Sequence, residues 1–137
     1  MSNPTILFVP GAYHRPTCFH LVTSSLNNLG YPIATVDHPS NNESNKGRID
    51  DIASVRTTLG HLVYVENKTV VLLLHSYGGQ AGGSGMYGYG KKERERNGED
   101  GGIVGVLYIA ALALPKGSSL LGELGGELGP RVQKDIC

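Results

Sequence analysis

Four stretches of the chain are dominated by apolar residues: 5–9, 32–37, 69–75 and 103–111. Three of them run nearly continuously in Val, Ile and Leu, the pattern of strands buried on both faces, as in a parallel sheet. Between them the apolar spacing changes to threes and fours. Over residues 16–29, Phe19, Val22, Leu26 and Leu29 recur on one helical face, with Pro16 suited to a first turn and Gly30 to the position past the last. Over residues 49–65, Ile52, Val55, Leu59, Leu62 and Val63 repeat that pattern, and Asp50 and Asp51 stand where a helix N-terminus favours negative charge. A third helix is predicted over 77–96, weakened by glycines that each cost about 1 kcal/mol relative to alanine. It closes in the mixed-sign run Lys91-Lys92-Glu93-Arg94-Glu95-Arg96, read as a solvated helix end. Strands and helices that alternate, joined by right-handed crossovers, predict an α/β fold. The form expected is a three-layer αβα sandwich around a mainly parallel four-stranded sheet.

Composition narrows the class. The 137 residues suit one domain, taken as 1–121 with a glycine-rich tail over 122–137. Lys+Arg and Asp+Glu each number 12, so the balanced charge weighs against nucleic acid as a partner. The longest apolar run, 103–114, is too short for a bilayer, and no basic-then-apolar leader opens the chain, so a soluble, cytoplasmic protein is expected. Cys18 and Cys137 make neither a disulfide framework nor a metal site and are read as free thiols. The outlier is glycine: the 20 copies cluster in 78–102 and 117–129, which calls for unusual backbone angles or poor order there.

The chemistry concentrates at the end of the third apolar run, Leu72-Leu73-Leu74-His75-Ser76-Tyr77-Gly78-Gly79. A strand that turns sharply into a helix lifts a serine hydroxyl above the sheet beside a helix N-terminus, which exposes and orients an otherwise poor nucleophile. The Tyr77 amide would then face negative charge on a bound carbonyl. The alternative role for Ser76 is a helix cap. Leu74 departs from the usual Gly-x-Ser-x-Gly, whose first position favours a small residue. The first run, Ile6-Leu7-Phe8-Val9, leads into Pro10-Gly11-Ala12-Tyr13. Ligands gather beyond the carboxyl ends of strands in such sheets. Gly11 would let the Ala12 amide aim at the same oxyanion, with Gly11, Tyr13 and His14 lining the substrate pocket.

Together these segments resemble the N-terminal part of an α/β-hydrolase of the small, fungal-type serine esterase-like kind. Val9-Pro10-Gly11-Ala12-Tyr13 is similar to the family's oxyanion loop and His75-Ser76-Tyr77-Gly78-Gly79 to its nucleophile elbow. Residues 102–104 through Leu114-Pro115-Lys116-Gly117 are similar to the strand after the elbow helix and its exit. The resemblance spans roughly residues 5 to 121. It implies the strand order second, first, third, fourth, and hydrolysis of a small-molecule carboxylic ester by Ser76 with Ala12 and Tyr77 as the oxyanion hole. No cofactor or metal is implied, since a serine route needs neither.

The family carries its acid and base histidine on later strands. This chain ends after the fourth, so a truncated fold with weak or no activity is expected. Of the five histidines, His14 is the one to test as a base. His75 should point away from Ser76, His38 is expected too far off, and His20 and His61 fall within helical patterns. Glu123 and Glu127 follow the last strand and could mimic an acid. Two rivals stand beside this reading. Gly85-Met86-Tyr87-Gly88-Tyr89-Gly90-Lys91-Lys92 and Gly83–Gly88 approach phosphate-binding loop patterns, without the required serine or threonine and without a strand just before them. The other is an inactive hydrolase-fold fragment acting through self-association along its exposed last strand.

Overall fold

The computed structural model describes residues 2–126. Four strands form one parallel sheet: β1 (Thr5–Val9), β2 (Ile33–Thr35), β3 (Thr69–His75) and β4 (Gly102–Ile109), in the order β2-β1-β3-β4. β1 pairs with β3 from Thr5↔Val70 to Val9↔Leu74, and β3 with β4 up to His75↔Ile109. All four C-terminal ends therefore lie on one edge of the sheet, and the loops after β1 and β3 leave it side by side.

Helices cover both faces. One face holds the larger core, with Leu7, Val9, Val70, Leu72 and Leu74 packed under Val55, Leu59, Leu62 and Val63 of α2 (Arg48–Gly60, prolonged by a wider turn over His61–Val65) and Ala81 of α3 (Gly78–Gly85). On the other face Ile6, Phe8 and Leu73 meet Phe19 and Leu26. That layer is thinner than the apolar spacing predicts. A tight turn at Pro16–Phe19 precedes α1 (His20–Asn28), and Val22 and Leu29 face solvent at 49% and 69% exposure.

The third helical segment is two helices. α3 stops at Gly85, and α4 spans Lys91–Arg96. Between them the chain passes through Gly88 with φ +85° and bridges Gly90 to Ile103. The mixed-charge run is not wholly solvated: Arg94 is buried, donates to the carbonyls of Asp100 and Gly101, and stacks 4.4 Å from the Tyr64 ring centroid. Stacking and a fixed donor fork suit a buried guanidinium where lysine would not serve. The two glycine-loop motifs fall on α3, the connecting turn and the start of α4. Neither follows a strand, so no phosphate-cradling loop forms there.

A short helix α5 (Leu120–Glu123) follows β4, crossing the boundary placed at 121/122. Cys18 is an exposed free thiol. Glu127 and Cys137 lie outside the described residues. Among the described residues no helix is long and apolar enough to cross a membrane.

Candidate active site

Ser76 stands between β3 and α3 with φ +52°, a left-handed backbone that a serine adopts only when its surroundings impose it. Three hydrogen bonds do so: its N–H donates to the Ile109 carbonyl (3.4 Å), and its own carbonyl accepts from Gly79 (3.0 Å) and Leu112 (3.1 Å). The bend is closed by missing side chains. A Cβ on Gly78 would lie 2.3 Å from the Val9 carbonyl oxygen, and one on Gly79 would lie 2.5 Å from that of Leu112. The Ser76 side chain is partly exposed, and its Oγ has no hydrogen-bond partner among the described residues.

Leu74 is accommodated by a second gap. Its side chain is fully buried, and a Cβ built on Gly82 would fall 2.3 Å from Leu74 Cδ2. The leucine thus occupies the space that a side chain on α3 would fill.

The loop after β1 comes directly against the bend. A Cβ on Gly11 would lie 3.0 Å from Ser76 Cβ and 3.2 Å from His75 Nδ1. Ala12 is partly exposed, and Tyr13 (φ +62°) and His14 are exposed. Neither the Ala12 nor the Tyr77 amide donates to a protein acceptor among the described residues. The fold therefore brings Ser76, Gly11, Ala12 and Tyr77 together, with Tyr13 and His14 at the rim.

The histidines divide clearly. His14 Nδ1 pairs with the Ala12 carbonyl at 2.8 Å, and its ring meets that of His75 edge-on at 5.7 Å. His20 contacts the Thr17 carbonyl, and His61 pairs with Glu66 at 3.0 Å. His38 is fully buried, with Nε2 2.8 Å from the Pro10 carbonyl oxygen and its ring edge-on to Tyr77 at 5.4 Å. No histidine ring hydrogen-bonds Ser76 among the described residues. Glu123 is exposed on α5.

Asp51 has a different environment from the one its helix position suggests. Asp50 does cap the start of α2, accepting from Gly47 N–H at 3.0 Å; that bond, and then Lys46, hold its carboxyl below the usual range. Asp51 instead turns inward and is fully buried. It accepts from the Ser40 amide (3.0 Å), the Ser40 hydroxyl (2.7 Å) and the Tyr77 hydroxyl (2.8 Å). Burial first, then the Asp51 hydrogen bond and charge, push the Tyr77 phenol above its ordinary range, with Arg48 opposing. Neither this network nor the Gly82 gap follows a local motif. Both join residues from separate elements.

A cavity of about 570 Å³ lies along the flank of α3 between Gly79, Gln80 and Gly83 on one side and Leu114–Ser118 on the other. It is not lined by Gly11, Tyr13, His14 or Ser76.

The chain matches the sequence model of the alpha/beta hydrolase family over residues 6–133. It is 32% identical over 139 aligned residues to the alpha/beta hydrolase nvfD of Aspergillus novofumigatus, covering 99% of this chain and 52% of that protein. It is 26% identical over 132 residues to the probable hydrolase R7 of a Phoma species, covering 94% and 51% respectively. The chain thus spans about half the length of the curated relatives it matches. A parallel β2-β1-β3-β4 sheet, a strained serine at the β3–α3 junction and a match over most of the length lead to one conclusion: this chain belongs to the alpha/beta hydrolase family.

Proposed function

We propose that the chain carries the nucleophile half of a serine hydrolase acting on carboxylic esters of small molecules. The observation that carries this reading is the left-handed Ser76 with its unpaired, partly exposed hydroxyl against Gly11. In the reaction Oγ bonds to the acyl carbon while the carbonyl electron pair moves to oxygen. The amides of Ala12 and Tyr77 donate to that oxyanion, and the alcohol leaves as the carbonyl re-forms. Removing one such donor typically costs about a hundredfold to a thousandfold in turnover. The hydroxyl proton passes to a base, which hands it to the departing alkoxide, and water then cleaves the acyl–Ser76 ester by the same route to release the acid. We assign base and acid to the part of the family's length that this chain does not span, so the chain by itself reacts slowly. Without a base, only binding and oxyanion stabilisation accelerate the reaction. Gly11, Tyr13 and His14 line the acyl side of the site in this reading.

The test is labelling with a fluorophosphonate probe. The 137-residue chain is expected to label slowly at Ser76, and Ser76→Ala to lose that signal; equal labelling of the two rejects the nucleophile. A second reading, self-association without catalysis, is favoured by β4. On this edge strand Val104, Leu107 and Ile109 are 52%, 53% and 43% exposed. Absent labelling together with a mass that rises with concentration would select it.

A further inference from the structure

We infer that the four-residue segment His38-Pro39-Ser40-Asn41 positions both oxyanion donors, an inference that rests on the reading of Ser76 above. β2 lies beside β1 on the side away from β3, so the chain leaving β2 passes the loop after β1 on its way to α2. Pro39–Asn41 forms one tight turn there, closed by Asn41 N–H on the His38 carbonyl. Three side chains of this segment act on the site from one base. His38 Nε2–H donates to the Pro10 carbonyl at 2.8 Å. Asn41 accepts from the Tyr13 amide through Oδ1 and donates to the His14 carbonyl through Nδ2, both at 3.0 Å. The peptide carrying the Ala12 amide is therefore pinned on both sides, and the positive φ of Tyr13 is held from outside the loop.

The second donor is held by the same turn. Ser40 gives Asp51 two hydrogen bonds, and Asp51 takes the Tyr77 hydroxyl, while the His38 ring packs edge-on to the Tyr77 ring. Tyr77 supplies the other amide. A buried carboxylate with three donors is a satisfied network, and such networks fix one geometry. None of these side chains hydrogen-bonds Ser76. They act through Ala12 and Tyr77, so they are positioning residues. An oxyanion hole works because its donors are in place before charge develops, and an error of about 1 Å in position can cost about a hundredfold.

The experiment measures saturation kinetics of phosphonylation on the 137-residue chain, separating the maximal rate from the concentration for half-saturation. Asn41 is partly exposed, so Asn41→Ala leaves the core intact. The expected result is a maximal rate lower by about tenfold or more, with half-saturation and melting temperature unchanged and faster amide exchange confined to residues 11–14. His38→Gln, whose amide can still donate to the Pro10 carbonyl, should retain most of the rate that His38→Ala loses. If His38→Ala does not fold, Asn41→Ala decides alone. An Asn41→Ala chain that labels at the parent rate, or that loses rate, affinity and stability together, overturns the inference. A parent chain that labels no faster than Ser76→Ala fails earlier, before any variant is compared. That result rejects the nucleophile and this inference with it.

Discussion

Gly82→Ala is the most informative single change in the fold. In a solvent-facing helix it would stabilise by about 1 kcal/mol, because alanine restricts the unfolded chain and favours helix. Here the added methyl would meet Leu74 Cδ2 at 2.3 Å, with Cδ1 and Cγ both at 3.4 Å. The clash is with Cδ2 alone, the other two carbons being at ordinary contact distance, and clearing it requires the leucine to leave its rotamer or α3 to shift. Leu74 is fully buried within the core cluster on that face of the sheet. Overpacking of this kind costs about 1–3 kcal/mol, so the net effect is a loss of about 1 kcal/mol. Leu74→Ala alone should cost about 2–5 kcal/mol through the cavity it leaves. In that background the clash is gone, and Gly82→Ala should gain about 1 kcal/mol from helix propensity plus about 0.8 kcal/mol from burying a methyl. The sign of the substitution reverses, and the coupling between the two sites is about 2 kcal/mol or more. Urea denaturation of the four proteins in the cycle measures it. A Gly82→Ala gain of equal size in both backgrounds, with coupling below about 0.5 kcal/mol, would refute the steric account of how this elbow holds a leucine.

Three further outcomes follow from the geometry. Ser76→Gly should be more stable than Ser76→Ala by about 0.5–1 kcal/mol, because glycine adopts φ +52° without the steric cost, less its greater unfolded entropy; equal denaturation midpoints would contradict the strain. The Tyr77 phenol is raised in the folded state, so its contribution is fully present below the unfolded value of about 10 and is lost as pH rises beyond that. The fall in melting temperature above about pH 10 should accordingly be shallower in Tyr77→Phe, and parallel curves there would count against the Asp51 contact. Leu107→Lys, on the open β4 edge, should lower self-association in sedimentation experiments without loss of fold, and an unchanged mass distribution would remove β4 as the contact.

The sheet was readable because each buried strand is an apolar run and each crossover a helical stripe. Val55, Leu59, Leu62 and Val63 pack as their spacing predicts, and the strand order is the one the resemblance implies. The errors have local causes. Val22 on α1 and Leu29 just past its end stay exposed, beside an edge strand β2 of only three residues. The helix predicted over 77–96 breaks over residues 86–90, where Gly88 has φ +85° and Gly90 pairs with Ile103. At the site, Ser76, Gly11, Ala12 and Tyr77 come together because the β1–β3 register sets Val9 beside Leu74. Asp51 was legible only as a charge near a helix start, and His38 only as a residue near the correct edge. Their hydrogen bonds span 26 and 28 positions, beyond the reach of any local pattern.

The bend at Ser76 is determined from the sheet, and this separates its shape from its chemistry. The backbone of Ser76 is tied to Ile109, Gly79 and Leu112, while Gly78 and Gly79 admit the Val9 and Leu112 carbonyls. None of these restraints involves the hydroxyl. Removing the oxygen therefore leaves the turn in place, whereas adding a methyl at Gly78 would drive two backbones apart and break it. A strained residue that holds its conformation without help from its own side chain is free to offer that side chain to a ligand. The same division extends outward. His38 Nε2, Ser40 and Asn41 bond to neighbouring backbone and to Asp51, and the Ala12 and Tyr77 amides have no protein acceptors among the described residues. Two amides and a hydroxyl, each on a partly exposed residue and without a protein partner among the described residues, are left to meet water or a ligand, and the surrounding network holds them in place.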